Sequence, residues 1–335
     1  MGDPRAAEGH RSLAVRALSV SFQTAEGQLR AVRGVDFELE RGECLGIVGE
    51  SGSGKSVTAA AVMGLISKDA ATEGEIRIDG TDISSLTVEE KRALRGKAVA
   101  MIFQEPSRSF DPIYSIGKTF EETFRAKNPA ITKEEAARRA TQLLSEVHIP
   151  QAEERLKNFP HQFSGGMLQR IMIALALAND PEILIADEPT TALDVTIQAQ
   201  IVGLLKELQE RRQLSLIFIS HDLGLVGQIA DRILVMYAGI VLESGRGPEV
   251  LTRPRSPYTR ALLDSLPSWG SHYSTRKLYT IKGTVPDPTH SEPGCPFAPR
   301  CRFVEERCAA EVPPLRSDEN GTGGAYRCVH SGVKT

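Results

Sequence analysis

The sequence predicts an α/β fold with a mostly parallel core sheet, a helical insert and a small cysteine-containing C-terminal region, and three observations carry that prediction. Apolar, strand-like runs alternate with a helical stretch between Glu182 and Ile219, the βαβ order that builds parallel sheets. A glycine-rich loop beginning at Gly49 joins an apolar run to a helical one. Prolines and cysteines crowd together beyond Gly283. At 335 residues, 41% apolar and 25% charged, the chain has the composition of a folded protein of about two domains, and a disordered chain is excluded. Its 40 basic and 43 acidic residues leave a net charge of −3, so no bulk charge calls for nucleic acid as a partner. Residues 251–335 hold 12 basic and 8 acidic residues, an excess too mild to imply a special partner.

Taken in order, residues 13–22, 32–39 and 44–48 are apolar or alternating runs between glycine-containing turns, which predicts strands. The third run feeds the glycine loop, and residues 57–66 after it read as a helix. Residues 99–103 form another strand-like run, and residues 118–180 take helical spacing, with Ala136, Ala137, Ala140, Leu143, Leu144 and Val147 on one face. Strands are expected again at 182–186 and 215–219, with a helix at 197–211 between them. Seven of the 19 prolines fall in residues 283–314, which excludes regular helices and central strands and leaves the tail needing another source of order. The expected division is therefore a domain of residues 1–250 and a C-terminal region of residues 251–335.

The longest apolar stretches, 171–178 and 183–186, fall far short of the about 18 residues that a membrane-spanning helix needs. Residues 1–13 carry scattered charges and no apolar core, so no secretory leader is expected and the chain is placed in the cytoplasm. Thiols there stay reduced. Four of the five cysteines (Cys295, Cys301, Cys308 and Cys328) lie in the last 41 residues, which favours metal ligation over disulfides, whereas Cys44 in an apolar strand reads as core.

Gly49-Glu50-Ser51-Gly52-Ser53-Gly54-Lys55-Ser56 has the spacing of a phosphate-binding loop between a strand and a helix. Glycines let backbone N–H groups turn inward around phosphates, the helix start adds positive potential, Lys55 reaches the outer phosphates and Ser56 ligates Mg²⁺. The apolar run at 183–186 ends in Asp187 and Glu188, suited to holding Mg²⁺ through water and to deprotonating an attacking water. Ser164-Gly165-Gly166 precedes an apolar helical run at 171–178, so that Ser164 can cap the helix and the glycine N–H groups can meet an anion; by itself this also fits an ordinary capped helix.

In this order the three motifs resemble those of the ATP-binding cassette ATPases. The resemblance implies an ABC-type P-loop NTPase with an antiparallel β subdomain and a helical subdomain at about 118–180. It places Gly49, Ser51, Gly52, Ser53, Gly54, Lys55, Ser56 and Val57 on the nucleotide and Phe22 on adenine. Gln104, at the end of the 99–103 run, corresponds to the Q-loop, Ala192-Leu193-Asp194 to the D-loop and His221 to the switch histidine near the γ-phosphate. Ser56, Gln104 and Asp187 would hold Mg²⁺; Glu188, His221 and Gln104 would act in catalysis; Ser164, Gly165, Gly166 and Asp194 would act on the ATP of a facing subunit in a head-to-tail dimer. Phe163-Ser164-Gly165-Gly166-Met167 departs from the family's usual Leu-Ser-Gly-Gly-Gln, which puts only the side chain at the last position in doubt.

Longer stretches at 163–170, 185–200, 235–239, 253–267 and 294–301 are similar to the oligopeptide/dipeptide importer branch, in its D-type ATPase. That resemblance implies an ATP-hydrolysing subunit on the cytoplasmic face of the cell membrane, working with two transmembrane permease subunits and an extracytoplasmic peptide-binding protein. Its partner ATPase would be an F-type chain or a second copy, and residues 105–118 would meet the permeases. Nickel, glutathione and sugar importers of the same branch stay open as alternatives. For the Cys-x5-Cys-x6-Cys-x19-Cys spacing the resemblance implies a 4Fe–4S cluster, with zinc as the alternative although paired Cys-x2–4-Cys spacing is absent. None of Phe22, Lys55, Glu188 or His221 lies in the tail, so changes there are expected to leave ATP binding little altered. A soluble cassette ATPase of repair or translation usually carries a long coiled coil, internal zinc modules or two cassettes, which this chain lacks, and a P-loop kinase leaves residues 164–167 and His221 unexplained.

Overall fold

The computed structural model describes residues 11–67, 69–191, 193–266, 280–289, 293–317 and 324–330. Residues 1–10, Ala192 and Pro267, on which parts of the sequence reading fall, lie outside these. The chain divides into one unit of residues 1–84 with 218–335 and a second of residues 85–217.

The first unit opens with two long antiparallel strands, β1 (Arg11–Thr24) and β2 (Gly27–Glu40). On β1 the buried apolar residues are Leu13 and Val15, then Leu18 and Val20, a change of parity that alternation alone cannot produce. A bulge between Val15 and Leu18 supplies it: Ala17 takes φ 48° and its N–H donates to Asp36 Oδ1 at 2.8 Å, which returns the apolar side chains to the same face. The chain then runs through β3 (Cys44–Val48), buried at every position as a central strand requires, and α1 (Lys55–Val62). Next, β4 (Ala70–Ile78) pairs antiparallel with the other edge of β1 and β5 (Thr81–Asp82) pairs with β4, giving a four-stranded sheet in the order β2-β1-β4-β5.

The second unit holds α2 (Val88–Leu94), β6 (Val99–Ile102), α3 (Pro106–Ser109), α4 (Ile116–Arg125), α5 (Lys133–Glu146), α6 (Ala152–Arg155), α7 (Gly165–Ala176), β7 (Ile183–Asp187) and α8 (Val195–Arg212). Helices α4 to α7 run from Ile116 to Ala176. α4 buries Ile116, Phe120 and Phe124 at four-residue spacing, and α5 buries Ala136, Ala140, Leu143 and Leu144, with the Arg139 guanidinium 4.6 Å from the Phe124 ring centroid. α7 begins at Gly165, before the apolar run at 171–178 that announced it, because Ser164 caps the first turn. β6 and β7 pair in parallel, with Ile102 opposite Ala186.

β8 (Ser215–Ser220) carries the chain from the second unit back into the first, which continues with α9 (Leu223–Ile229), β9 (Arg232–Tyr237), β10 (Ile240–Arg246), α10 (Gly247–Thr252) and α11 (Pro257–Asp264). Two-residue strands β11 (Arg316–Ser317) and β12 (Ala325–Tyr326) follow. Strand order in this unit is β11-β12-β10-β9-β3-β8, with β3 and β9 parallel and β9, β10, β12 and β11 antiparallel. The tail strands thus extend an edge, which suits their proline-rich surroundings. Among the described residues no helix is long and apolar enough to cross a membrane.

Candidate functional site

β3 delivers the chain to Gly49, where a Cβ would lie 2.2 Å from the Met236 carbonyl oxygen of β9, so only glycine lets the loop leave the sheet there. Gly54 holds φ 98° with a would-be Cβ 2.5 Å from the Ala31 carbonyl, and it precedes α1 without a side-chain cap, leaving the first helical N–H groups to an anion. The β9–β10 turn braces the loop: the Gly239 N–H donates to Ser53 O at 3.1 Å and the Arg33 N–H to Gly239 O at 2.8 Å. Lys55 is 4% exposed, and its Nζ donates to the carbonyls of Gly49 at 2.8 Å and Glu50 at 2.9 Å. Ser53 Oγ is buried with no hydrogen-bond partner among the described residues, while Ser51, Gly52 and Ser56 face solvent and Val57 is half-buried. A buried ammonium, an orphaned hydroxyl and an uncapped helix start in one loop fit a polyanionic ligand.

The second unit positions the carboxylates. Asp187 ends the fully buried β7. Glu188 follows with φ 47°, a left-handed conformation uncommon outside glycine and enriched at functional sites. Its Oε2 accepts from Gln104 Nε2 at 3.1 Å and from Thr191 Oγ1 at 2.9 Å, and the Thr191 N–H donates to Glu188 O at 3.2 Å. The register accounts for the first contact, since Gln104 and Glu188 each stand two residues past the Ile102–Ala186 pair. Thr191 was not anticipated; its signal is a hydroxyl residue at turn distance from a carboxylate. Ser164 Oγ accepts from the Met167 N–H at 3.4 Å and Asp194 from the Ile197 N–H at 3.0 Å, so both cap helices. A Cβ on Gly166 would come within 2.8 Å of Ile197 Cγ2, and Gly165 and Ser164 remain exposed.

In the first unit His221 lies exposed just past β8, before Asp222, which caps α9 through the N–H groups of Gly224 at 2.8 Å and Leu225 at 3.2 Å. Phe22 is half-buried on β1, between Leu29 of β2 and Ala70 of β4.

The tail gathers its cysteines. Cys295, Cys301, Cys308 and Cys328 line one cavity with Phe297, Phe303 and His330, while Cys44 is buried apart in β3. Three of the four sulfurs accept a backbone N–H, from Phe303 to Cys301, Glu305 to Cys308 and His330 to Cys328, at 3.4 Å each. Burial pushes the Cys295 thiol up to about 11 and those of Cys301 and Cys328 in the same direction. Among the described residues no group of three or more His, Cys, Asp or Glu side chains is arranged to hold a metal ion, so neither the 4Fe–4S centre nor zinc is supported by the placement. Four thiols around one apolar cavity are what the fold supplies.

The tail also reaches the phosphate loop. Arg300, in the turn between Cys295 and Cys301, grips the Glu50 carboxylate with both terminal nitrogens: Nη1 meets Oε2 and Nη2 meets Oε1, the latter at 3.1 Å. Nη1 also donates to the Tyr237 hydroxyl at 3.2 Å and Nε to Lys282 O at 2.9 Å. The Glu50 N–H donates to the Tyr258 hydroxyl at 2.9 Å, and Tyr237, Tyr258 and Phe297 pack with ring centroids 4.7, 5.4 and 5.1 Å apart. Sequence spacing gives no sign of this contact, which joins residues 250 positions apart.

The phosphate loop after a parallel strand, the strand ending in Asp187 with Glu188 next, and the Ser-Gly-Gly helix start define an ATPase of the ATP-binding cassette class. Residues 32–191 match the family described as ABC transporter, and residues 242–308 match the oligopeptide/dipeptide transporter, C-terminal region. The chain is 48% identical over 307 residues to the oligopeptide transport ATP-binding protein OppD of Bacillus subtilis (strain 168), covering 91% of this chain and 85% of that protein. It is also 48% identical over 303 residues to the dipeptide transport ATP-binding protein DppD of Lactococcus lactis subsp. cremoris (strain MG1363), covering 90% and 86% respectively. Among solved structures, the dimeric bacterial ABC transporter cassette MJ0796 aligns with a TM-score of 0.63 at 28% identity, over 70% of this chain and 98% of that one. The chain therefore belongs to the oligopeptide/dipeptide transporter family of ABC ATP-binding proteins.

Proposed function

We propose that this ATPase powers uptake of oligopeptides or dipeptides from the cytoplasmic face of the membrane, with two permease subunits, a second ABC ATPase and an extracytoplasmic peptide-binding protein. The observation that carries the cargo class is the match of residues 242–308 to the oligopeptide/dipeptide C-terminal region, alongside relatives named for peptide transport. Ile113 and Tyr114, 72 and 38% exposed, give residues 105–118 the apolar surface that a permease contact needs. Val195, 81% exposed beside Asp194, does the same for a facing ATPase.

In this reading Phe22 stacks on adenine, and Lys55 with Gly49 and residues 51–57 holds the phosphates. Ser56, Gln104 and Asp187 would hold magnesium, which when bound would neutralise phosphate charge. Glu188, oriented by Gln104 and Thr191, takes the proton of the attacking water, and His221 steadies the γ-phosphate. Ser164, Gly165, Gly166 and Asp194 complete the site of the facing subunit. A 4Fe–4S cluster on the four tail thiols is read from their number and from the likeness of the tail to the oligopeptide/dipeptide branch, not from the placement of the sulfurs. The cluster would order the tail by cross-linking it, and zinc is the alternative.

Reconstitution with the permeases tests the cargo. ATPase activity is expected to rise with peptide-loaded binding protein; stimulation by nickel, glutathione or a sugar, with none by any peptide, would keep the importer class and reject the peptide cargo.

A further inference from the structure

Glu50 sets an acidic side chain in a loop whose remaining features (uncapped helix start, buried Lys55, Ser53 hydroxyl without a partner among the described residues) suit a polyanion. A carboxylate there repels phosphate unless another group neutralises it. The structure gives that task to one residue of the tail. Arg300 is 6% exposed on its side chain and forks onto both oxygens of Glu50, the geometry in which a guanidinium fixes a carboxylate in place as well as cancelling its charge. Its own position is set on three sides: Nη1 on the Tyr237 hydroxyl, Nε on Lys282 O, and its backbone N–H on Phe297 O at 3.0 Å. Phe297, three residues earlier in the same turn, packs against Tyr237 and Tyr258, and Tyr258 accepts the Glu50 N–H. Backbone and side chain of Glu50 are therefore both held by groups outside the loop.

We propose that Arg300 is a positioning residue for the phosphate-binding loop, neutralising and orienting Glu50, so that nucleotide affinity depends on the turn between Cys295 and Cys301. The inference rests on the nucleotide reading of residues 49–56. Because linkage is reciprocal, bound nucleotide should in turn steady that turn. Arg300 touches no reacting atom; it acts through Glu50.

The test is equilibrium binding of Mg–ATP to the purified full-length chain and to Lys55→Ala, Arg300→Gln, Glu50→Gln and the Glu50→Gln/Arg300→Gln pair. Arg300→Gln is expected to weaken binding on the order of tenfold, about 1.4 kcal/mol, because it leaves the carboxylate facing the phosphates. Removing that carboxylate as well should return affinity to within about threefold of the parent, a recovery that a tail merely loosened by mutation could not give. If Lys55→Ala loses ATP while Arg300→Gln binds as the parent does, the brace is rejected and the loop reading stands. If the pair stays as weak as Arg300→Gln alone, the neutralisation argument is overturned. If Lys55→Ala binds normally, the nucleotide reading beneath the inference fails first.

Discussion

Glu188 combines three features on one residue: a left-handed backbone, a carboxylate fixed by two neutral donors, and a place at the end of a buried strand. Fixing a base by neutral donors orients it without supplying a positive charge that would weaken it as a proton acceptor. Glu188→Gln is therefore expected to slow ATP turnover on the order of 100-fold or more while leaving ATP binding in place, measured as kcat beside an equilibrium binding curve. Thr191→Val keeps the shape and removes one donor. It should lower kcat by a factor of about 10, the worth of one hydrogen bond to a charged group, with KM for ATP unchanged. An equal loss in both parameters would show that Thr191 serves binding instead of orienting the base. Glu188 was legible in the sequence at the end of an apolar run and Gln104 through the family resemblance; Thr191 was not, because its role depends on the turn the chain makes after β7.

α7 shows how one polar side chain moves the boundary of an element. The apolar run at 171–178 specifies a helix, yet two consecutive glycines before it are poor helix formers, and the helix includes them because Ser164 satisfies the Met167 N–H. Ser164→Ala should lower stability by about 1 kcal/mol, read as a drop in the urea midpoint at constant slope, and Ser164→Gly by only a few tenths. A change in slope would point instead to a wider loss of structure. β1 carries the same lesson for strands. Its alternation is plain in the sequence, but the bulge at Ala17, which sets the face of Leu18 and Val20, depends on Asp36 of the neighbouring strand.

For the whole molecule, the consequential contact is the one that ties the C-terminal tail to the phosphate loop. Cys301→Ser should abolish metal binding in anaerobically purified protein, where about four irons per chain are expected for a four-thiolate cluster. On the proposed cluster reading it should also open the chain beyond Gly283 to protease, since metal affinity would then be part of the folding free energy of the tail. One zinc and no iron would favour the alternative metal, and a protease-resistant tail without metal would reject ligation. By itself the sequence determined the α/β class, the phosphate loop, the carboxylate pair, the helical insert and the resemblance to peptide-importer ATPases. These rest on local patterns, in which a few consecutive residues dictate backbone, charge and periodicity. Only the tertiary structure decided which donors hold Glu188, that four cysteines spread over 34 positions share one cavity, and that Arg300 closes on Glu50. The physical reason is that each of these depends on packing between segments distant in the chain, and side-chain geometry across such a contact leaves no periodicity to read.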